Sequence, residues 1–222
     1  MFPCLKREIW FFGENIITDK PCFAVAGILL AAGQSRRFGS PKQLAEIGSD
    51  VLLQRTFAQF SAAQLDAVYL VLGAYAEQIQ SHIALATNVI QVNNWHEGIG
   101  SSIATAVKYL NFNRGDTAPS SFSHVMIGLA DHINLQTGRF DQLLEKAKQA
   151  PNRIIASQYN ETFGAPCIFP RCYFDDLMAL RGEYGAKKLI KRYLDSVIFL
   201  SVPEAVLDID TQAQLACWKQ AK

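Results

Sequence analysis

The sequence predicts an α/β fold, a doubly wound sheet covered by helices on both faces, and three observations carry that prediction. Short apolar runs of strand length alternate with helix-length amphipathic segments along nearly the whole chain, a pattern that neither a bundle nor a sandwich produces. Two of the runs end in chemistry: one enters a loop of small residues and cations at Gly33, and another delivers Asp131. With 222 residues, 50% of them apolar, the chain can bury one substantial core.

Each element follows from its local pattern. The longest apolar run, residues 22–32, is broken by Gly27 and falls well short of the ~20 residues of a membrane span, so it reads as a buried strand over 23–31. A helix over 51–62 sets Leu52, Leu53, Phe57 and Phe60 on one side, and 67–72 is the second buried strand. A helix over 77–85, a short strand at 89–92, a Gly/Ser-rich bend at 98–102 and a helix over 103–110 come next. The polar stretch 111–123 reads as a mobile loop. Residues 124–130 are another buried strand, followed by a helix over 139–150 and a strand over 153–158. Gly164-Ala165-Pro166 suits a turn before a short strand at 167–169. Helices at 173–180 and 186–193, a strand at 197–200 and a helix after Thr211 complete the order.

Composition narrows the function classes. A formal net charge of +1 gives no global reason for nucleic acid or an anionic membrane as a partner. Cys4, Cys22, Cys167, Cys172 and Cys217 are odd in number and form no C-x-x-C pair, which argues against a disulfide framework or a zinc ribbon and for a reduced, cytoplasmic setting. Lys6, Arg7 and Glu8 interrupt the first dozen residues, which lack the apolar centre of a secretory signal. Residues 1–22 read as an N-terminal extension and 23–222 as the folded domain.

The most informative stretch follows the first strand. Gly33, Ser35, Gly39 and Ser40 leave backbone N–H groups unobstructed, Arg36, Arg37 and Lys42 add fixed positive charge, and no acid occurs between Ala31 and Ala45. Such a loop suits a polyphosphate, and its place at the carboxyl edge of a sheet favours ligand binding over a plain polar turn. It is neither a Walker loop nor a dinucleotide fingerprint; Gly98-Ile99-Gly100 begins like the latter and lacks its last glycine. A triphosphate also needs a divalent cation held by carboxylates. Asp131 leads because packing poorly explains an acid at the end of a buried strand. Asp208 and Asp210 flank Ile209 and share a face, so either can stand opposite it, although Asp210 also fits an N-cap of the last helix. Ser101 and Ser102 offer an anion site or a plain N-cap, and His132 fits a phosphate contact or an ordinary polar loop residue.

These residues resemble a known family. Leu30-Ala31-Ala32-Gly33-Gln34-Ser35-Arg36-Arg37-Phe38-Gly39 with Lys42 is similar to the signature loop of the MobA-like nucleotidyltransferases, within them the molybdenum cofactor cytidylyltransferase group. Asn94-Trp95, Gly98, Ser101-Ser102, Asp131, Gly164-Ala165-Pro166, Gly182-Glu183-Tyr184-Gly185-Ala186 and Asp208-Ile209-Asp210-Thr211 are similar to its later motifs in the same order. The likeness runs over residues 24–215 and implies a three-layer α/β/α, Rossmann-like nucleotide-binding fold with a mostly parallel, mixed sheet. It implies transfer of a nucleoside monophosphate from an NTP, with CTP preferred, to the terminal phosphate of molybdopterin, releasing pyrophosphate, and a molybdoenzyme as receiver of the product. By the same resemblance Leu30, Ala31, Ala32, Gly33, Ser35 and Arg36 bind the nucleotide, Arg37 and Lys42 steady its triphosphate, Asp131 and Asp210 hold Mg2+, and Ser101, Ser102 and Gly164 lie near the acceptor. Arg37, Lys42 and Asp131 are thereby the expected catalytic set.

The chain departs from the family's pattern at three places. Asp131-His132-Ile133 stands for the usual Asp-Gln-Pro, Glu183 for a common aspartate, and Thr211-Gln212-Ala213-Gln214 lacks the acids that usually follow the Asp-Thr pair. Two further readings therefore stay in view: transfer to a sugar or alditol phosphate, and a non-catalytic domain that carries nucleotide or cofactor.

Overall fold

A computed structural model describes residues 23–83, 88–112 and 122–221. The expected N-terminal extension, the far end of the helix at 77–85 and most of the loop at 111–123 lie outside the described residues.

The main sheet has seven strands. In chain order its members are β1 (Val25–Leu30), β4 (Ala67–Leu72), β5 (Asn88–Gln91), β6 (His124–Leu129), β7 (Ile154–Tyr159), β8 (Thr162–Pro170) and β9 (Val197–Ser201), while β2 (Glu46–Ile47) and β3 (Asp50–Val51) form a separate hairpin. The order across the sheet is β5-β4-β1-β6-β8-β7-β9; β8 alone runs against its neighbours. The chain therefore leaves β1 toward β4 on one side and returns to β6 on the other, which opens a crevice at their carboxyl ends.

Strand alternation divides the core into two layers. Ala26, Ile28 and Leu30 of β1 face a layer that includes α3 (Ile99–Phe112), α5 (Phe174–Met178) and α6 (Ala186–Arg192). Val25 and Leu29 face α1 (Leu52–Ser61), α2 (Ala76–His82) and α4 (Thr137–Gln149). Phe60 of α1 lies flat on this second face because two glycines make room. A Cβ at Gly27 or at Gly128 would come within 2.8 Å of its ring. A third cluster, Phe38, Ile47, Leu52, Ile133, Ile209 and Leu215, ties the loop after β1 to α7 (Gln212–Gln220).

Two local expectations are corrected. Residues 98–102 are not a free bend: α3 already starts at Ile99, so Ser101 and Ser102 lie in its first turn and neither is its N-cap. Gly164-Ala165-Pro166 is not a turn but part of the nine-residue strand β8, with a cis Ala165–Pro166 peptide and a register shift opposite it in β7. Proline cannot donate to a ladder, and the irregularity absorbs that loss while Ser157 Oγ donates to the Pro166 carbonyl at 2.6 Å. Cys167 and Cys217 are free. Among the described residues no helix is long and apolar enough to cross a membrane.

Candidate functional site

The crevice at the ends of β1 and β6 is where the expected residues converge. After β1 the chain turns sharply at Ser35, which adopts left-handed geometry with φ 54° and accepts from the N–H groups of Phe38 and Gly39. Phe38 then buries in the third cluster, which leaves Arg36 and Arg37 exposed on the rim. A short turn at Lys42–Leu44 sends Lys42 back over the crevice and puts the Gln43 side chain beneath the loop. The sequence reading did not single out Gln43; a fully buried amide between a lysine and a leucine is visible only once the turn is known.

From the far side, β6 delivers Asp131, whose backbone carbonyl accepts from Ile209 N–H at 3.3 Å and so draws Asp210 alongside. Lys42 Nζ lies 2.7 Å from Asp131 Oδ2 and 2.9 Å from Asp210 Oδ1, and Arg37 pairs with the other oxygen of Asp210. Asp210 is not the N-cap of α7. Thr211 takes that role, its hydroxyl accepting from Gln214 N–H at 3.2 Å while the Gln214 side chain accepts from Thr211 N–H at 2.8 Å. Gln214, one of the departures from the family's acids, thus completes a capping box and leaves the Asp210 carboxylate free to face Lys42.

Electrostatics follow from this closeness. Burial alone would lower the Lys42 pKa, but the charges and hydrogen bonds of Asp131 and Asp210 outweigh it and hold the ammonium above its ordinary value. Burial likewise opposes ionisation of Asp210, and Lys42 with Arg37 prevails, keeping that carboxyl below its ordinary value. Asp131 Oδ1 is buried without a hydrogen-bond partner. An orphan carboxylate oxygen beside a second carboxylate fits a divalent cation. Among the described residues no three metal-ligating side chains cluster, so such an ion would draw its remaining oxygens from phosphate and water, the habit of magnesium.

A cavity of about 380 Å³ opens over these groups. Its floor is the stretch from Leu30 to Arg37, with Lys42, Gln43, Asp131 and Asp210, and its opposite wall includes Trp95, His96, Gly98, Ser102 and Glu183. Gly98 and Gly100 let that wall close: a Cβ on Gly98 would meet the Gly182 carbonyl at 2.5 Å, and Gly100 N–H donates to the same oxygen at 2.9 Å. Of the residues expected near an acceptor, Ser102 lines the cavity. Ser101 and Gly164 do not: Ser101 Oγ donates to Glu97 at 3.0 Å, and Gly164 lies under the Tyr159 hydroxyl. His132 is buried behind Asp131, and burial pushes its pKa down against the charges of Asp131 and Asp208. Its ring does not line the cavity. His96 and Glu183 were missed as site residues, although each adjoins a glycine motif that the sequence displays.

Comparison with known proteins bears on the family and the fold. The sequence model of the MobA-like NTP transferase domain family matches residues 27–197. A crystal structure of a Mycobacterium tuberculosis Rv0371c homologue from Mycobacterium sp. strain JC1 is 27% identical, with 89% of this chain and 96% of that one covered and a TM-score of 0.75. Rv0371c of Mycobacterium tuberculosis H37Rv in complex with manganese is 24% identical over 90% of this chain and 100% of that one, with a TM-score of 0.70. A nucleotidyl transferase from Methanothermobacter thermautotroptrophicus is 14% identical, covers 89% of this chain and 97% of that one, and gives a TM-score of 0.70. The latter two speak for the fold. No curated protein matches the sequence.

Proposed function

The chain belongs to the MobA-like NTP transferase family, and from that premise we propose that it transfers a nucleoside monophosphate from CTP to the terminal phosphate of a molybdopterin-type acceptor, releasing pyrophosphate. The observation that carries this reading is Lys42 set between Asp131 and Asp210 on the floor of a glycine-lined cavity. The ordered motifs that resemble the cofactor group supply the choice of acceptor and donor.

In this mechanism the protein forms no bond to substrate. The acceptor phosphate oxygen attacks the α-phosphorus of the nucleotide, the bond from that phosphorus to the bridging oxygen breaks, and pyrophosphate departs. An anionic phosphate needs no base, so rate comes from alignment and from charge placed where charge accumulates. Backbone N–H groups from Ala32 to Ser35 cradle the phosphates, and Arg37 and Lys42 neutralise the departing pyrophosphate. Asp131 and Asp210 would hold a magnesium ion, which would supply positive charge to screen the phosphate oxygens. The Rv0371c complex with manganese lends support to a divalent ion in this fold. Ser102, Trp95 and Glu183 form the wall against which the acceptor rests, and a molybdoenzyme would receive the product.

A second acceptor class, a sugar or alditol phosphate, is favoured by one observation. His132, where the family usually has glutamine, is turned away from the cavity and gives the acceptor nothing to bind. Pyrophosphate release measured with CTP, magnesium and molybdopterin, and then across phosphorylated acceptors, decides between them. The cofactor reading expects release with molybdopterin and little with sugar phosphates; folded protein that releases none with any donor and acceptor overturns catalysis and leaves the carrier reading.

A further inference from the structure

Gln43 is only 2% exposed, yet its amide makes three contacts, all of them to the loop that follows β1. Nε2 donates to the carbonyls of Ala31 at 2.9 Å and Gly33 at 3.0 Å, and Oε1 accepts from Ser35 Oγ at 3.2 Å. The Ser35 hydroxyl in turn accepts from Lys42 N–H at 3.3 Å. Only one orientation of the amide works, because the reverse would press its oxygen against two carbonyl oxygens.

In a trans peptide the carbonyl and the N–H point in opposite directions. Fixing Ala31 C=O and Gly33 C=O toward Gln43 therefore turns the N–H groups of Ala32 and Gln34 away from it. Both residues line the cavity, and among the described residues neither N–H meets a protein acceptor. The same clasp holds Ser35 at its left-handed φ of 54°, a conformation that a serine adopts at a cost.

We propose that Gln43 is a positioning residue for the nucleotide: by tethering two carbonyls on the inner side of the loop it aims two backbone N–H groups at the phosphates of a nucleoside triphosphate. It touches no reacting atom. This deepens the nucleotide-site reading above and rests on it.

The test compares wild type, Gln43→Met and Gln43→Glu, each checked for its fold by circular dichroism, with CTP and magnesium as the titrated probe. Gln43→Met keeps shape but no donor, and a loss of at least tenfold in affinity is expected. Gln43→Glu keeps the acceptor and regains a donor only when protonated, so its affinity relative to wild type at the same pH should rise as pH falls from 8 to 5.5, a trend that a packing role would not produce. Independently of any variant, the amide resonances of Ala32 and Gln34 in the wild type should shift downfield when CTP binds. Folded variants that bind within twofold of wild type throughout, or amides of Ala32 and Gln34 that CTP leaves unmoved, overturn the role of Gln43. Wild-type protein that binds no nucleoside triphosphate overturns instead the reading of the site itself.

Discussion

Lys42 makes two ion pairs of less than 3 Å with side chains that are each at most 20% exposed, so its charge is held where water screens it poorly. Asp131→Asn preserves shape, removes one carboxylate from the proposed cation site, and should cost roughly 10²–10³ in turnover, the scale seen when one charge-stabilising group is removed. Mn2+ binding followed by electron paramagnetic resonance should weaken in parallel; full turnover and unchanged binding would remove Asp131 from the site. The pH behaviour of the pair has a definite sign. Asp210 is depressed, so its contribution to stability is present above its ordinary value near 3.8 and is lost as pH falls through the folded one. Lys42 is raised, so its contribution is complete below 10.5 and is lost as pH rises through its folded value. Between those limits the bridge stands, and a Lys42→Met variant should lose most of its stability deficit relative to wild type only at the acid and alkaline extremes. Denaturant midpoints measured from pH 3 to 11 check this.

At the scale of elements, the apolar runs of β1, β4 and β6 are legible in the sequence because both of their faces are buried and no polar residue interrupts them. The start of α3 and the length of β8 are not, because glycine and proline there serve close approach and a ladder irregularity rather than a turn. Gly98 shows the difference: its φ of 108° and its contact with Gly182 both exclude a side chain. Gly98→Ala should destabilise the protein by about 1–3 kcal/mol and part the cavity wall. Gly138 in the first turn of α4 is the control, since nothing lies within 4 Å of a Cβ added there. Gly138→Ala should stabilise by about 0.4–1 kcal/mol. Urea unfolding of the two variants separates a packing glycine from a dispensable one, and equal midpoints would refute the distinction.

Across the whole molecule, the candidate site is assembled from residues as far apart in sequence as Arg37 and Asp210, and only the order of strands brings them together. The sequence displays Gly33 and Lys42 through the cationic loop of small residues that follows β1, and Asp131 through the end of β6, whereas Gln43 becomes visible only through the packing of one loop on another. Global stability carries a comparable nonlocal feature. His124 at the start of β6 lies beneath the Phe23 ring, between the Ser123 hydroxyl and the Pro151 carbonyl, each 2.8 Å from a ring nitrogen. Burial lowers its pKa below the ordinary 6.5 even though the Pro151 hydrogen bond opposes the shift. The unfolded chain therefore takes up a proton below pH 6.5 that the folded protein refuses, and the stability present above that pH is lost as pH falls through the folded value, by at most about 1.4 kcal/mol per pH unit for this group. His124→Gln keeps a donor for the Pro151 carbonyl and cannot titrate. Its melting temperature should fall less steeply than that of wild type between pH 8 and pH 5, and parallel curves would show that His124 titrates alike in the folded and unfolded chain.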